Sequence, residues 1–201
     1  MKEIRKNYLL SAYAMRPHSG SEPGVGWEWL KAINSLGKYN ITCFVEKEWE
    51  EEIKLEANRL GLNVTFYFFS IGKFARRLCW NQGSWSFYFF YRIWQIRILI
   101  FAKFFLLKRF DFVHHLNMTG YREPGCLWLL KGSKFILGPL GGLNLIPESL
   151  RPEWTFKSFI KEKLNKMSLK DPYVILALKN SKLLLGSNSS SVTELRNRGY
   201  N

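Results

Sequence analysis

The feature that most constrains this chain is an alternation of short apolar runs with amphipathic segments over its first 69 residues. Tyr8 to Met15 is apolar and predicts a strand. Gly24 to Leu36 places Trp27, Leu30, Ile33 and Leu36 on one helical face and is stopped by Gly37. Asn40 to Val45 predicts a second strand, and Glu46 to Leu60 a helix contacting the core through Trp49, Ile53, Leu55 and Leu60, stopped by Gly61. Leu62 to Phe69 predicts a third strand. The order β-α-β-α-β needs crossover connections, so it points to a parallel sheet with helices on its faces.

Between the first strand and helix lies Ser19-Gly-Ser-Glu-Pro-Gly-Val-Gly-Trp27. A glycine-rich turn into a helix offers backbone N–H groups to an anion or a sugar. It also serves as an ordinary strand-to-helix loop, and both readings stand. Its spacing, Gly20-x3-Gly24-x-Gly26, is not the dinucleotide fingerprint, and no Gly-Lys-Ser/Thr of a Walker loop follows.

Charge segregates along the chain. Six glutamates fall between Glu46 and Glu56, whereas Ala57 to Phe110 holds nine basic residues and no acidic one. The net charge of +14 favours an anionic partner: nucleic acid, anionic lipid or a phosphorylated substrate. Trp85 to Leu107 is almost wholly aromatic and aliphatic, but Arg92, Arg97 and Lys103 interrupt it, which excludes a membrane span. Two readings remain for residues 73–109: a helix lying on an anionic membrane surface, or a core helix with a solvated basic face. No recognition motif for nucleic acid accompanies the charge.

The second half predicts a strand at Asp111 to Leu116, a short helix from Gly125 to Lys131 and a strand at Lys134 to Leu137. The last runs into a second glycine-rich turn, Gly138-Pro-Leu-Gly-Gly142. Phe156 to Asn180 reads as helix with a break at Asp171-Pro172, and Lys182 to Gly186 as a last strand. Ser191 to Glu194 reads as a capping box opening a final helix. Cys43, Cys79 and Cys126 have no C-x-x-C spacing, so neither a zinc site nor a disulfide framework is read, which suits a reducing compartment. The apolar run after Lys6 is short and broken by Arg16 and Pro17, so no secretory leader is read there. The whole chain is expected to be one Rossmann-like α/β domain.

Ligands of open parallel sheets bind beyond the carboxyl ends of the strands. Ser19 to Gly26, His114 to Glu123 and Gly138 to Asn144 all fall there. His115 suits a donor to a substrate hydroxyl or phosphate, a base, or a structural histidine. Arg122 suits a phosphate or carboxylate, or a partner for Glu123 or Glu22. Glu22 suits an acceptor for sugar hydroxyls, a base, or a carboxylate favoured by the helix dipole. Gly141 and Gly142 suit close ligand approach or a tight turn. The histidines lack H-E-x-x-H spacing, and no G-x-S-x-G elbow is present.

Ser11-Ala-Tyr-Ala-Met15 with Ser19 to Trp27, His115-Leu-Asn-Met-Thr-Gly-Tyr-Arg-Glu-Pro-Gly125, Gly138 to Gly142 and Leu183 to Glu194 together resemble the N-terminal domains of bacterial retaining glycosyltransferases of the family 4 group. The resemblance implies a GT-B fold of two Rossmann-like domains. This chain would be the acceptor-side domain, with a C-terminal donor-binding domain carried elsewhere; alone it is expected to be inactive. It implies sugar transfer from a nucleotide-sugar to a glycan or lipid-linked acceptor, as in polysaccharide or lipopolysaccharide biosynthesis. No metal or other cofactor is expected beyond the nucleotide-sugar co-substrate. The place implied is the inner face of the cytoplasmic membrane. Mapped onto this sequence, the catalytic candidates are His115 and Glu22. The substrate-binding candidates are Gly24, Val25, Gly26, Arg122, Glu123, Gly141 and Gly142. The rival expectations are a non-catalytic membrane-surface protein and a nucleic-acid-binding module.

Overall fold

The computed structural model describes residues 5–79, 85–106, 109–116, 120–142, 163 and 167–200. Its centre is a six-stranded, all-parallel sheet. The strands are β1 (Lys6–Ser11), β2 (Tyr39–Glu46), β3 (Val64–Phe69), β4 (Phe112–His115), β5 (Lys134–Leu140) and β6 (Leu183–Gly186), in spatial order β3-β2-β1-β4-β5-β6. The chain runs outward from β1 to one edge, then returns to lay β4 on the other side of β1. This doubly wound, Rossmann-like α/β order reverses between β1 and β4.

Helix α1 (Ser21–Ser35) and helix α2 (Glu50–Arg59) follow the first two strands. Helix α3 (Lys73–Cys79) and helix α4 (Trp85–Phe104) separate β3 from β4, and helices α5 (Pro172–Asn180) and α6 (Ser189–Asn197) flank β6. Side chains alternate across the sheet, so the core is two clusters. Tyr8 and Leu10 meet Trp27, Leu30, Cys43 and Ile53 in one. Leu9 meets Phe44, Tyr91, Trp94, Val113 and Val174 in the other.

Several boundaries differ from the sequence expectation, each for a local reason. β1 ends at Ser11 instead of Met15, although Ala12 to Met15 stay buried. α1 begins at Ser21, so Glu22, Pro23, Gly24 and Gly26 lie within the helix rather than in a loop before it. Gly20 takes the extended cap position, and Pro23 falls in the first turn, where no N–H is needed. A 3-10 turn, Lys47–Trp49, precedes α2. α2 buries Ile53, Glu56 and Ala57, while Leu55 is 74% exposed, because positions i, i+3 and i+4 take the sheet-facing stripe. The helix expected from Gly125 to Lys131 is only a 3-10 turn at Leu127–Leu129. β5 continues through Gly138 to Leu140, where a turn was expected. Gly138 has φ +121°, and a Cβ there would lie 2.3 Å from the Leu185 carbonyl oxygen of β6, so only glycine keeps the strand in place. The final helix is capped by Asn188, whose side chain accepts from the Ser191 N–H; Ser191 itself is buried inside the helix. Asp171 caps α5 at the expected break by accepting from the Tyr173 N–H. The helix expected from Phe156 falls largely outside the described residues before residue 167.

α4 is a core helix on one side. Phe87, Tyr91, Trp94, Ile98 and Ala102 recur at steps of three and four and are buried against the sheet. Its other side exposes Phe89, Ile93, Ile96, Ile100 and Phe104. Among the described residues no helix is long and apolar enough to cross a membrane.

Candidate functional site at the sheet reversal

The carboxyl ends of β1 and β4 are neighbours, with Ser11 beside His115. Leaving β1, the chain turns through Arg16 and His18 into α1. Glu52 and Glu56 of α2 tie this turn, Glu52 through an ion pair with Arg16 at 2.8 Å and Glu56 through a contact with His18 Nε2 at 3.1 Å. Both pairs have an exposed partner and contribute orientation more than stability. The glutamate run therefore borders the turn. The Gly20 cap supplies no side-chain hydrogen bond to the first turn of α1. Those N–H groups, with the positive end of the helix dipole, make an anion-favouring helix start at the reversal point. Glu22 sits half-buried in that first turn.

The three glycines of this turn have distinct roles. A Cβ on Gly24 would lie 1.9 Å from the Ser19 carbonyl oxygen. The chain's own backbone thus occupies the space that the sequence reading offered to a ligand. Gly26 is buried in α1, and Val25 between them is 41% exposed. Gly24→Ala is expected to cost about 2 kcal/mol in urea unfolding, because the Ser19 turn must be displaced; unchanged stability would show that this turn is not packed as described.

The two histidines ending β4 point to opposite faces. His114 is fully buried: its Nε2–H donates to the Gly138 carbonyl at 2.8 Å, and its Nδ1 accepts from the Tyr8 hydroxyl at 2.8 Å. Burial lowers its pKa to about 4. His115 is 2% exposed, with Nε2 3.1 Å from the Tyr91 hydroxyl. Burial, reinforced by His114, lowers its pKa to about 3. Both imidazoles are therefore neutral at pH 7. Beside His115, the fully buried Gln95 amide faces the Tyr91 hydroxyl and His115 faces the Glu123 backbone, in contacts too poorly aligned to meet strict hydrogen-bond geometry. Gly125, with φ +71°, lets the backbone pass here, since a Cβ would come within 2.9 Å of both side chains.

The loops after β4 and β5 are joined by a parallel bridge between Gly120 and Gly141. Gly142 adopts φ +76° near the Tyr121 ring. Arg122 is half-buried. Glu123 is buried and paired with Arg92 of α4 at 2.6 Å, not with Arg122. Burial pushes its carboxyl upward, and Arg92 pulls it down. The Arg92 guanidinium also lies 5.2 Å from the centre of the Tyr173 ring.

The fold thus gathers the described parts of the three predicted stretches, 19–26, 114–116 with 120–123, and 138–142, at one rim, and ties Gly24 and Glu123 into the scaffold; residues 117–119 and 143–144 of those stretches lie outside the described residues. Tyr91, Gln95 and Arg92 were missed as site neighbours. They sit in an aromatic run whose periodicity gives no sign of which polar groups meet β4. Among the described residues no group of three His, Cys, Asp or Glu is arranged to hold a metal. No protein-family model, curated protein or solved structure matches the chain.

Proposed function

We propose that the chain is the acceptor-side domain of a retaining GT-B glycosyltransferase, moving a sugar from a nucleotide-sugar to a hydroxyl of a polysaccharide or lipid-linked acceptor. One observation carries this reading. The α1 helix start, the His115 strand end and the Gly120–Gly141 bridge converge where the strand order reverses, which is where open α/β sheets bind their ligands. The sequence resemblance supplies the chemistry. As the glycosyl–diphosphate bond breaks and the acceptor hydroxyl oxygen bonds the sugar, passing its proton to a phosphate oxygen of the leaving group, N–H groups at the α1 start would stabilise the departing diphosphate. His115, enclosed by Tyr91, Gln95 and Gly125, would act from behind the site by fixing the end of β4 rather than by touching the sugar, and so acidic an imidazolium makes a weak base. Glu22, in the first helical turn, is the candidate acceptor for sugar hydroxyls. Donor binding would fall to a second domain.

A second reading has its own support. The exposed row Phe89, Ile93, Ile96, Ile100 and Phe104, with Lys103 beside it, suits a helix lying on an anionic membrane at the cytoplasmic side. It would bring the enzyme to a lipid-linked acceptor, or it would be the whole function of a non-catalytic protein.

The test is a panel of nucleotide-sugars and lipid-linked acceptors offered to the complete protein from its source, reading labelled product and released nucleoside diphosphate. One donor is expected to turn over, and His115→Ala is expected to lower that turnover at least tenfold with the melting temperature followed in parallel. Near-normal turnover in the variant overturns the site assignment. No turnover with any donor, alongside vesicle binding, favours the non-catalytic reading.

A further inference from the structure

The opposite rim of the sheet, at the amino ends of β4 and β5, carries a cavity of about 380 Å3. The end of α4 contributes Ala102 and Lys103, the residues just after it Leu106, the entry to β4 Arg109 and Phe110, and the entry to β5 Leu129 to Lys131 with Ser133. Its inner wall is apolar, with Phe110 and Ala102 buried. Its rim is cationic. Among the described residues Arg109 reaches a backbone oxygen, that of Gly132 at 3.4 Å, and Lys103 lies over the Phe104 ring. Among the described residues Lys103, Arg109 and Lys131 have no carboxylate partner. With 30 basic against 16 acidic residues many cations of this chain lack a carboxylate, and what sets these three apart is that they line one cavity.

Volume and charge together narrow the occupant. The cavity has room for about a dozen waters, more than a bare phosphate requires and less than a whole lipid. An apolar floor under three cations suits an anion attached to hydrocarbon. The cavity also shares Lys103 with the helix that exposes Ile100 and Phe104, followed by the exposed Phe105. We propose that this cavity holds the phosphate headgroup and first acyl carbons of an anionic phospholipid. The proposal rests on the membrane-surface reading of α4 and adds to it a lipid-specific site away from the sugar-transfer rim. The aliphatic stripe would enter the interface while the cations close on one headgroup.

The test uses the full chain with vesicles of phosphatidylcholine, with and without phosphatidylglycerol, and a soluble short-chain phosphatidylglycerol below its micelle concentration. Ser133→Phe fills the cavity and keeps every charge. Arg109→Gln with Lys131→Gln removes two rim cations, and Lys38→Gln with Lys179→Gln is the equal-charge control. Phosphatidylglycerol vesicles are expected to bind the wild type and the control alike, and both cavity variants roughly tenfold more weakly. The short-chain lipid is expected to shift the methyl resonances of Leu106, Leu129 and Leu130, which inorganic phosphate alone does not reproduce. Equal vesicle binding by wild type and Ser133→Phe overturns the cavity site and leaves the membrane reading standing. So does a loss in the control as large as in the rim variant. Cavity shifts with short-chain lipid but no vesicle binding retain the lipid site and overturn the membrane reading. Shifts by inorganic phosphate as large as by lipid overturn the lipid assignment in favour of a free anion.

Discussion

Trp94→Ala is expected to lower the unfolding free energy by about 4 kcal/mol, measured as a shift in urea midpoint at constant slope. Trp94 is fully buried in the cluster between α4 and the sheet. Its ring lies edge-on to Tyr13 at 5.1 Å and is stacked with Tyr91 at 6.2 Å. Its Nε1–H donates to the Phe69 carbonyl at the end of β3, at 3.0 Å. Alanine removes the contacts, leaves a cavity and strips one partner from a strand-end carbonyl. Trp94→Phe retains most of the ring and loses the donor, so it is expected to cost about 1 to 2 kcal/mol. The result bears on function, because one face of α4 holds the sheet and the other is the face proposed to meet a membrane. A loss under about 1 kcal/mol would mean that α4 is not seated on the sheet, and the exposed row would then lose its meaning as an outward face.

Stability is expected to fall by about 3 kcal/mol between pH 6.5 and pH 5. The cause is the buried histidine pair. The pKa values of His114 and His115 are lowered in the fold from an ordinary 6.5 to about 4 and about 3. Within this window the unfolded chain takes up protons that the folded chain refuses. Acid therefore favours unfolding, and the loss continues until the folded pKa values are reached. Ordinary carboxylates titrate mostly below the window; Glu48 and Glu123, raised by burial, act in the opposite sense, so the histidine variant is what isolates the histidine contribution. Urea midpoints at the two pH values measure it. Replacing both residues with glutamine, which does not titrate, is expected to flatten the dependence even as it lowers stability at neutral pH. A slope unchanged in that variant would show that the histidines are not buried neutral. The same burial keeps His115 behind the surface of the site, so a confirmed histidine dependence supports its positioning role at the end of β4.

Much of the fold was legible because burial of a doubly wound sheet imposes local patterns. The run N-I-T-C-F-V predicted β2 to within a residue at each end, and Gly37 and Gly61 stopped their helices with φ values of +65° and +61°. The boundaries that moved did so through contacts distant in sequence. β5 passed its glycine and proline because β6 lies against Gly138. Leu55 was read as a core contact, yet the turn of α2 against β2 and β3 left it outside.

The candidate site divides in the same way. The glycine turn, the strand-end histidines and the second glycine pair could be placed on one rim from sequence alone, because parallel strands bring all their carboxyl ends to one side. Which polar groups face one another could not. Glu123 is paired with Arg92, 31 residues away, and His115 is enclosed by Tyr91 and Gln95 of the same distant helix. The Gly24 Cβ position is filled by Ser19, and the cationic cavity at the opposite rim draws on three separated segments. By itself the sequence determined the alternation of elements, and with it the layered architecture, because hydrophobic period is a local property. Only the tertiary structure decided which charges are paired, which histidines lie buried and neutral, and where an opening remains, because desolvation and ion pairing depend on groups that the fold, not the chain order, brings within reach.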